Sequence, residues 1–490
     1  MGRRGLRLIT LAAVPVLVLS ACGGSNNSPS ASTSGGGSSA SATAVVTAPP
    51  GKTKVVWFVG LGSGGNANQL AAENDFTNNY NDTNKDNIFL QFQYVSNTTA
   101  TDVLKARMAA GTGPDVVGPV GIEGRAGFPG VFMDIAPEIT KNNTDTSIYG
   151  ETLLNSMKMG GALIGLPYAL YPPFIFYNKD LFAAQALPDL PITVGAKYNN
   201  DTWNWDTLAK YAKQLTIDTT GKKSTDAGFN ASKTKEYGFD TQWIADIRRF
   251  ATPFGAGAYV AADGKTAQVP DAWATALKWY HDAMWVSKFA PNNSQRNATD
   301  MASGATMGTN RVAMELTWSW AMSSIGSVDA NGKPTSKFQK WDIGVLPANA
   351  AGVTTAPVDS DTFSILKTSK VPDQAYKAML AIEKDSSLAV TYGAMPAIPA
   401  QQADYFKAQQ ASVTAQFPAV TAITWTVFTE MLKYAANPTH QDPMPNYTKA
   451  LNLDKALYTK IQSDGATNVD TAVLQLKTDI QAAFSSAAAS

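Results

Sequence analysis

Apolar and polar residues follow two periods along this chain, one typical of strands and one typical of helices. Residues 54–59 form a nearly continuous apolar run, which predicts a strand buried on both faces. Ala72, Phe76 and Tyr80 recur at helical spacing, and every second residue from 88 to 94 is apolar. The order strand, helix, strand is typical of an α/β architecture.

The same two periods continue in the rest of the chain. Asn204 is suited to cap a helix whose apolar face contains Leu208 and Leu215. Apolar residues alternate over 314–318, which predicts a strand, and residues 469–480 have the pattern of an amphipathic closing helix.

The chain has 490 residues, more than one ordinary hydrophobic core contains, so at least two domains are expected. It carries 39 basic and 39 acidic residues. Without Arg3, Arg4 and Arg7, 36 basic residues face 39 acidic ones, a formal charge of −3. This balance gives no indication of a nucleic-acid partner or of an anionic membrane surface as a partner.

The amino terminus has the pattern of an exported lipoprotein. Residues 1–21 combine a basic start with an apolar stretch too short to span a membrane, which predicts a signal peptide. The following Leu-Ser-Ala-Cys sequence matches a bacterial lipobox, so we expect Cys22 to carry a lipid. The alternative is an ordinary signal peptide with a nearby cysteine, but Cys22 is the only cysteine in the chain. Residues 22–51 are rich in Ser and Gly and predict a flexible tether.

Residues 163–182 organise the rest of the chain. Pro167 suits a sheet edge because proline cannot donate to a strand ladder, residues 174–177 predict a strand, and Asn178 suits a helix cap. The stretch GLPYALYPPFIFYNKDLFAAQAL resembles the segment GlPya…lyYNkdlFekaGl of extracellular solute-binding proteins of sugar ABC transporters, the group typified by maltose-binding protein. The same residues also suit a buried strand pair of any α/β protein.

Further motifs follow in the order that this family has them: LKARMAAGTGPDVV, TWNWDTLAKYAKQLT, MGTNRVAMELTWSW and VPDQAYKAMLAI. The resemblance extends from Lys52 to Phe484. It implies an α/β, two-lobed periplasmic-binding-protein-like fold of type II, with discontinuous lobes joined by a hinge. The implied limits are residues 52–168 and 362–393 for the first lobe, and 171–359 and 396–490 for the second.

The resemblance also implies ligand contacts in the cleft between the lobes. In the family, aromatic residues at the end of the strand over 314–318 commonly stack on the sugar, which makes Trp318 and Trp320 the leading candidates. The remaining candidates are Trp243 and Trp425, where relatives can place a cleft aromatic, Glu123 and Arg125, in the loop 118–130 expected on the ligand side, and Tyr168 and Asp361, at expected lobe crossings. Two alternatives stay open: the tryptophans pack in the core, and Glu123 and Arg125 are solvated loop charges.

The sequence contains few of the residues and motifs that enzyme active sites commonly use. The two histidines, His281 and His440, are far apart in the sequence, and neither a GxSxG elbow nor a Walker A motif occurs. Paired glycosidase carboxylates have no local signature. The runner-up is therefore a secreted, membrane-tethered carbohydrate-active enzyme, and a third alternative is an adhesion lipoprotein without a transport role.

We therefore expect a receptor, not an enzyme, that captures a sugar or oligosaccharide and delivers it to an ABC importer. The expected partners are the carbohydrate, the permease subunits and the membrane, through the lipid on Cys22. We expect no nucleic-acid partner, no cofactor and no metal. The protein is expected to be a monomer at the extracellular face of the bacterial cytoplasmic membrane.

The lipid anchor can be tested directly. In a Cys22→Ala variant the protein should leave the membrane fraction, because this side chain is the only thiol available for lipidation. Cell fractionation and intact mass of the mature protein measure the outcome. An unmodified Cys22 in the mature wild-type protein would contradict the prediction.

Overall fold

The computed structural model describes residues 47–490 apart from 63, 66, 160, 243, 302–305, 326–337, 442 and 487–490. The signal peptide, Cys22, most of the tether and Trp243 lie outside the described residues, so the predictions that concern them stay predictions. Within the described part of the chain, no helix is long and apolar enough to cross a membrane.

The strands fall into two larger sheets and three short two-stranded ones. The first half of the chain contains β1 (Thr53–Val59), β2 (Ile88–Tyr94), β3 (Val116–Val120), β4 (Lys158–Met159), β5 (Ala162–Leu163), β6 (Pro167–Tyr171), β7 (Pro173–Asn178) and β8 (Lys197–Tyr198). The later strands are β9 (Asp201–Thr202), β10 (Ile217–Asp218), β11 (Thr234–Glu236), β12 (Asp240–Thr241), β13 (Met314–Trp318), β14 (Trp341–Gly344), β15 (Asp359–Ile365) and β16 (Met395–Pro396).

Helices cover both larger sheets. The first are α1 (Ala67–Thr83), α2 (Ala100–Ala109), α3 (Ile122–Ala126), α4 (Ala136–Lys141), α5 (Glu151–Asn155), α6 (Lys179–Ala184), α7 (Trp205–Leu215), α8 (Ile247–Ala251) and α9 (Asp271–Trp285). The others are α10 (Asn293–Arg296), α11 (Met322–Ile325), α12 (Pro372–Glu383), α13 (Ser386–Thr391), α14 (Pro399–Gln416), α15 (Thr426–Leu432), α16 (Tyr447–Ser463) and α17 (Val469–Ser485).

One sheet has six strands in the order β16, β6, β15, β3, β1, β2. β1 pairs in parallel with β2 and β3, while β15 is antiparallel to β3 and β6. The predicted strand over residues 54–59 is confirmed as part of β1. Trp57 contacts Phe76 of α1 on one face, and Phe58 packs with Leu104 of α2 on the other. Cover on both faces explains why this strand has an almost continuous apolar sequence.

The other large sheet has four strands in the order β12, β13, β7, β14. β7 lies antiparallel to both β13 and β14, and every residue of β7 and β13 is buried. The predicted strand over residues 174–177 is thus confirmed. Asn178 ends it and caps α6, since its side chain accepts hydrogen bonds from the backbone N–H groups of Asp180 and Leu181.

The chain passes from the first sheet to the second through a single residue, Pro172, between β6 and β7. Proline has no backbone N–H, so it interrupts the ladder at this point. Later segments return to the six-stranded sheet, where Asp359 of β15 pairs with Tyr171 and Met395 of β16 pairs with Leu170. The lobe limits predicted from the sequence are not decided by this pairing and stay predictions.

Around the four-stranded sheet, aromatic side chains form much of the core. Trp205 begins α7 and stacks on Phe254 with ring centroids 4.3 Å apart. Trp273 of α9 is fully buried. Asn204 caps α7 by accepting from the backbone N–H of Thr207 at 2.8 Å, which confirms the predicted cap.

A buried polar cluster sits beside this sheet. Arg296 of α10 donates from Nε to both carboxylate oxygens of Asp240, at 3.1 and 3.2 Å. Thr306 donates to Glu315 of β13 at 2.6 Å. Burial raises the pKa of Glu315 to about 8. The cluster thus holds one charged carboxylate next to its cation and one carboxyl that favours the neutral form.

The pair of Arg296 and Asp240 should be important for stability. In Arg296→Leu the Asp240 carboxylate stays buried without its cation, which should lower the free energy of unfolding by about 3–5 kcal/mol. Urea unfolding measures this loss of free energy, and the m-value of the variant should equal that of the wild-type protein. The matched control is Lys210→Leu, because Lys210 forms an ion pair with Asp201 whose two side chains are 54% and 37% exposed. That change should cost at most about 1 kcal/mol. Equal losses in the two variants would contradict the prediction.

Candidate ligand-binding cleft

A cleft of about 710 Å³ opens where the ends of strands from the six-stranded sheet meet residues attached to the four-stranded sheet. β1, β2 and β3 are parallel, so their carboxyl ends meet at one edge, which is where ligands bind in open α/β sheets. The lining residues come from both sides: Leu61, Gly62, Gly65, Gln69, Tyr94, Ser96, Asn97, Gly121, Gly124, Tyr171, Arg249, Trp320, Asp359, Asp361, Tyr392 and Gln441.

One wall of the cleft is aromatic. Trp320 is half-buried and stacks on Trp318, with ring centroids 5.1 Å apart and planes 7° from parallel. Tyr171 contacts the Trp320 ring at 5.5 Å. Two stacked indoles form a stiff, flat surface that loses little conformational entropy when a ligand covers it.

A charged group joins this wall to the strand ends. Arg249 of α8 donates to Asp359 from Nε and from Nη2, both at 3.1 Å, and its guanidinium lies 5.7 Å from the Trp320 ring centroid. Gln441 donates to the same carboxylate at 2.6 Å, and Nε2 of His440 lies 3.2 Å from it. Burial alone would raise the pKa of Asp359, but Arg249 and His440 outweigh it and hold that pKa well below its usual range.

Asp359 and Asp361 both line the cleft because they are two residues apart on β15 and project from the same face of the strand. Asp361 accepts a hydrogen bond from the Tyr171 hydroxyl at 3.2 Å. Gly121 lies against Asp361, since a Cβ added to this glycine would sit 2.9 Å from Oδ1. The floor of the cleft therefore combines carboxylates with a backbone that approaches them closely.

The loop after β1 is held in place by hydrogen bonds to its backbone. Gln69 of α1 accepts from the N–H groups of Gly64 and Gly65 at 3.1 and 3.0 Å. Asn97 donates to the carbonyl of Gly62 at 2.7 Å. Gly62 and Gly65 of this loop line the cleft.

Comparison with known proteins is consistent with this geometry. Residues 61–379 match the family model described as bacterial extracellular solute-binding protein. The chain belongs to this family. No curated protein sequence matches it.

Solved structures of such proteins share the fold. An ABC substrate-binding protein from Listeria monocytogenes in complex with cycloalternan is 17% identical, with a TM-score of 0.63, over 88% of this chain and 98% of that one. A sugar transporter from Rhizobium etli in an open conformation is 15% identical, with a TM-score of 0.66, over 88% and 99%. Maltose-bound T. maritima MalE3 is 18% identical, with a TM-score of 0.60, over 87% and 99%. The predicted α/β, two-lobed fold of this solute-binding protein is confirmed.

Of the residues predicted to bind ligand, Trp320 and Asp361 line the cleft and Trp318 does not. Trp318 has no exposed surface, and its indole N–H donates to the carbonyl of Pro357 at 2.7 Å. The reason is local. Met314, Leu316 and Trp318 all project into the core, and the 3₁₀ turn Ser319–Ala321 then lifts Trp320 over Trp318. Trp318, one of the two leading candidates, therefore supports Trp320 from the core in this structure.

Two further candidates pack away from the cleft. Tyr168 is buried against Phe363, with ring centroids 4.8 Å apart. Trp425 stands just before α15, where its ring stacks on Phe406 and its N–H donates to Gln410 at 3.0 Å. Both rings lie among apolar side chains that cover the sheets, whereas the residues that line the cleft stand at strand ends and loops.

The last candidates come from the loop after β3. Arg125 is fully buried and donates to the carbonyl of Ser360 at 3.4 Å and to Sδ of Met157 at 3.2 Å, so it is neither a cleft residue nor a solvated loop charge. Burial lowers its pKa to about 10, although the charge of Asp361 opposes the shift. The backbone of Glu123 belongs to α3. The Glu123 side chain and Trp243 fall outside the described part of the structure.

Several cleft residues were not singled out from the sequence. Arg249 and Gln441 contact Asp359 from positions 110 and 82 residues away, and no local motif marks either one. His440 stood out only as one of two histidines, in a loop without an assigned role. Tyr392 did carry a signal, because it stands next to residue 393, the predicted limit of the first lobe.

The two stacked tryptophans should differ in their effect on stability. Trp318→Ala removes a fully buried side chain and should lower the free energy of unfolding by about 3–5 kcal/mol. Trp320→Ala removes a half-buried ring that faces the cleft and should cost clearly less. Urea unfolding of both variants measures the difference. A larger loss for Trp320→Ala would mean that the roles of the two rings are reversed.

Proposed function

We propose that this solute-binding protein captures a carbohydrate in the cleft and delivers it to an ABC importer. The observation that carries the proposal is the pairing of the Trp320 face with Asp361 and the ion pair of Arg249 and Asp359. A sugar has apolar C–H faces that suit a flat indole and hydroxyl groups that suit charged donors and acceptors. The ligands bound in the similar structures, cycloalternan and maltose, belong to the same chemical class.

The two-lobed fold suggests how capture is coupled to delivery. The proposed first lobe comprises residues 52–168 and 362–393, and the second comprises 171–359 and 396–490. A ligand favours a closed arrangement only if it binds that arrangement more tightly, so it has to contact both lobes. Asp361 lies on β15 of the six-stranded sheet, and Trp320 directly follows β13 of the four-stranded sheet. A ligand that contacts both residues would therefore contact both sheets.

We infer that the protein works at the extracellular face of the cytoplasmic membrane, as a monomer held by a lipid on Cys22. The family is extracellular by description, which supports export. A tether over residues 22–51 would let the folded part reach the permease while the lipid stays in the membrane. The permease subunits and the carbohydrate are the proposed partners.

Binding without chemistry is favoured over glycoside hydrolysis by the state of the cleft carboxylates. A glycosidase needs one carboxyl with a raised pKa as general acid beside a second carboxylate. Asp359 has a lowered pKa, and its oxygens accept from Arg249 and Gln441. It is therefore poorly suited to hold a proton for a leaving group.

Melting of the mature protein against a panel of mono- and oligosaccharides tests the proposal. A sugar that binds only the folded state at 100 times its Kd adds about 2.7 kcal/mol to the free energy of unfolding, so the melting temperature should rise. Trp320→Ala should lower the affinity for that sugar roughly thirtyfold, because the cleft loses its central aromatic contact. The matched control is Trp425→Ala, which removes a half-buried tryptophan outside the cleft and should leave the affinity unchanged.

The same sugars also separate a receptor from an enzyme. After prolonged incubation with stoichiometric protein, chromatography should return each oligosaccharide unchanged. Cleavage products, or equal affinity loss in Trp320→Ala and Trp425→Ala, would contradict the proposal.

A further inference from the structure

A buried carboxyl lies directly behind one of the cleft residues. Glu73 of α1 has no exposed surface, and its Oε1 lies 2.6 Å from the hydroxyl oxygen of Tyr392. The second oxygen, Oε2, has no hydrogen-bond partner among the described residues. Tyr392 follows α13 and lines the cleft, so this hydroxyl connects Glu73 to the cleft.

The surroundings of Glu73 favour its neutral form. Burial raises the pKa of Glu73 to about 8, and the hydrogen bond from Tyr392 offsets part of that rise. Gly64 of the loop after β1 approaches Oε1 closely, since a Cβ added to this glycine would lie 2.5 Å from it. From β6, Tyr168 contacts the Tyr392 ring, and its hydroxyl has no hydrogen-bond partner in the described part of the chain.

The titratable groups that act on Tyr168 and Tyr392 are carboxyls and phenols. Those that act on Tyr168 are Asp385, Glu383, Glu73 and Asp361. Tyr171 is the further titratable group that acts on Tyr392 from β6. The preference of Glu73 for a bound proton rests on its burial, which outweighs the hydrogen bond from Tyr392.

The position of that proton determines what Tyr392 offers to a ligand. A proton on Oε2 would be a buried donor without an acceptor, which costs about 1–3 kcal/mol. A proton on Oε1 is donated to the Tyr392 oxygen, and the Tyr392 O–H is then available to the cleft. When Glu73 is ionised, Tyr392 has to donate to Glu73 and presents only lone pairs to the cleft.

We propose that Glu73 is a positioning residue that sets the hydrogen-bonding direction of Tyr392, making this hydroxyl a donor to ligand when Glu73 is protonated and an acceptor when it is ionised. The effect on ligand rests on the proposed sugar-binding function. Asp359 and Asp361 already supply acceptors, so the Tyr392 donor complements them toward a sugar oxygen that accepts. Affinity should therefore fall as the pH rises through the pKa of Glu73.

Infrared difference spectra of the ligand-free mature protein between pH 6 and pH 9.5 test the direction of the bond without any sugar. The C=O stretching band of the protonated Glu73 carboxyl, identified as the band that is lost in Glu73→Gln, should disappear with a midpoint of about 8. The Tyr392 C–O band, assigned by ring-labelled tyrosine and its loss in Tyr392→Phe, should shift with the same midpoint. In Glu73→Gln it should stay constant.

A matched control separates Glu73 from other buried carboxyls. Glu315 is equally buried, has its pKa raised to about 8 and belongs to the four-stranded sheet. Glu315→Gln should remove its own carboxyl band and leave the pH-dependent shift of the Tyr392 band intact. A Tyr392 band that does not move with pH, or that still moves in Glu73→Gln, overturns the proposal.

The ligand arm uses maltose and maltotetraose as probes, with Kd measured by calorimetric titration across the same pH range. In the wild-type protein the Kd should rise roughly tenfold from pH 6.5 to 9.5, the equivalent of one hydrogen bond. It should be constant in Glu73→Gln and in Tyr392→Phe. Constant wild-type affinity for a probe that binds overturns the ligand part of the proposal. If neither probe binds, the result contradicts the sugar assignment. It does not affect the infrared result, which is obtained without a ligand.

Discussion

The ion pair between Arg249 and Asp359 links the two sides of the cleft. Asp359 begins β15 of the six-stranded sheet, whereas Arg249 belongs to α8, and both side chains are largely withdrawn from solvent. A buried carboxylate is tolerated only where charges and hydrogen bonds replace water, and Arg249 and Gln441 provide them. Arg249 also lies beside the Trp320 ring, so the same side chain contacts the aromatic wall.

The cleft accommodates two buried carboxyls in opposite ways. Asp359 keeps its charge because cationic and polar groups surround it. Among the described residues the Glu73 carboxyl has one hydrogen-bond partner, and its strongly desolvated position raises its pKa to about 8. The difference lies in the neighbours and not in the side-chain chemistry. One side of the site thus carries a fixed charge, and the other has a proton whose binding depends on pH.

The place of the cleft follows from strand direction and from one proline. Parallel strands β1, β2 and β3 bring three loops to the same edge, and glycines let the backbone approach Asp361 and Gln69 closely. Pro172 ends the ladder of β6 and allows β7 to begin in the other sheet immediately. Tyr171, the residue before this change, is consequently placed in the cleft.

Local sequence determined the features that depend on a few neighbouring residues. The buried strand over 54–59 and the caps at Asn178 and Asn204 are examples, and the ordered motifs indicated the two-lobed fold. Which tryptophan faces the cleft was decided by the turn Ser319–Ala321, which a period of two does not capture. Tyr392 meets Glu73 across 319 residues. Contacts over such separations have no local signal, so only tertiary packing decides them.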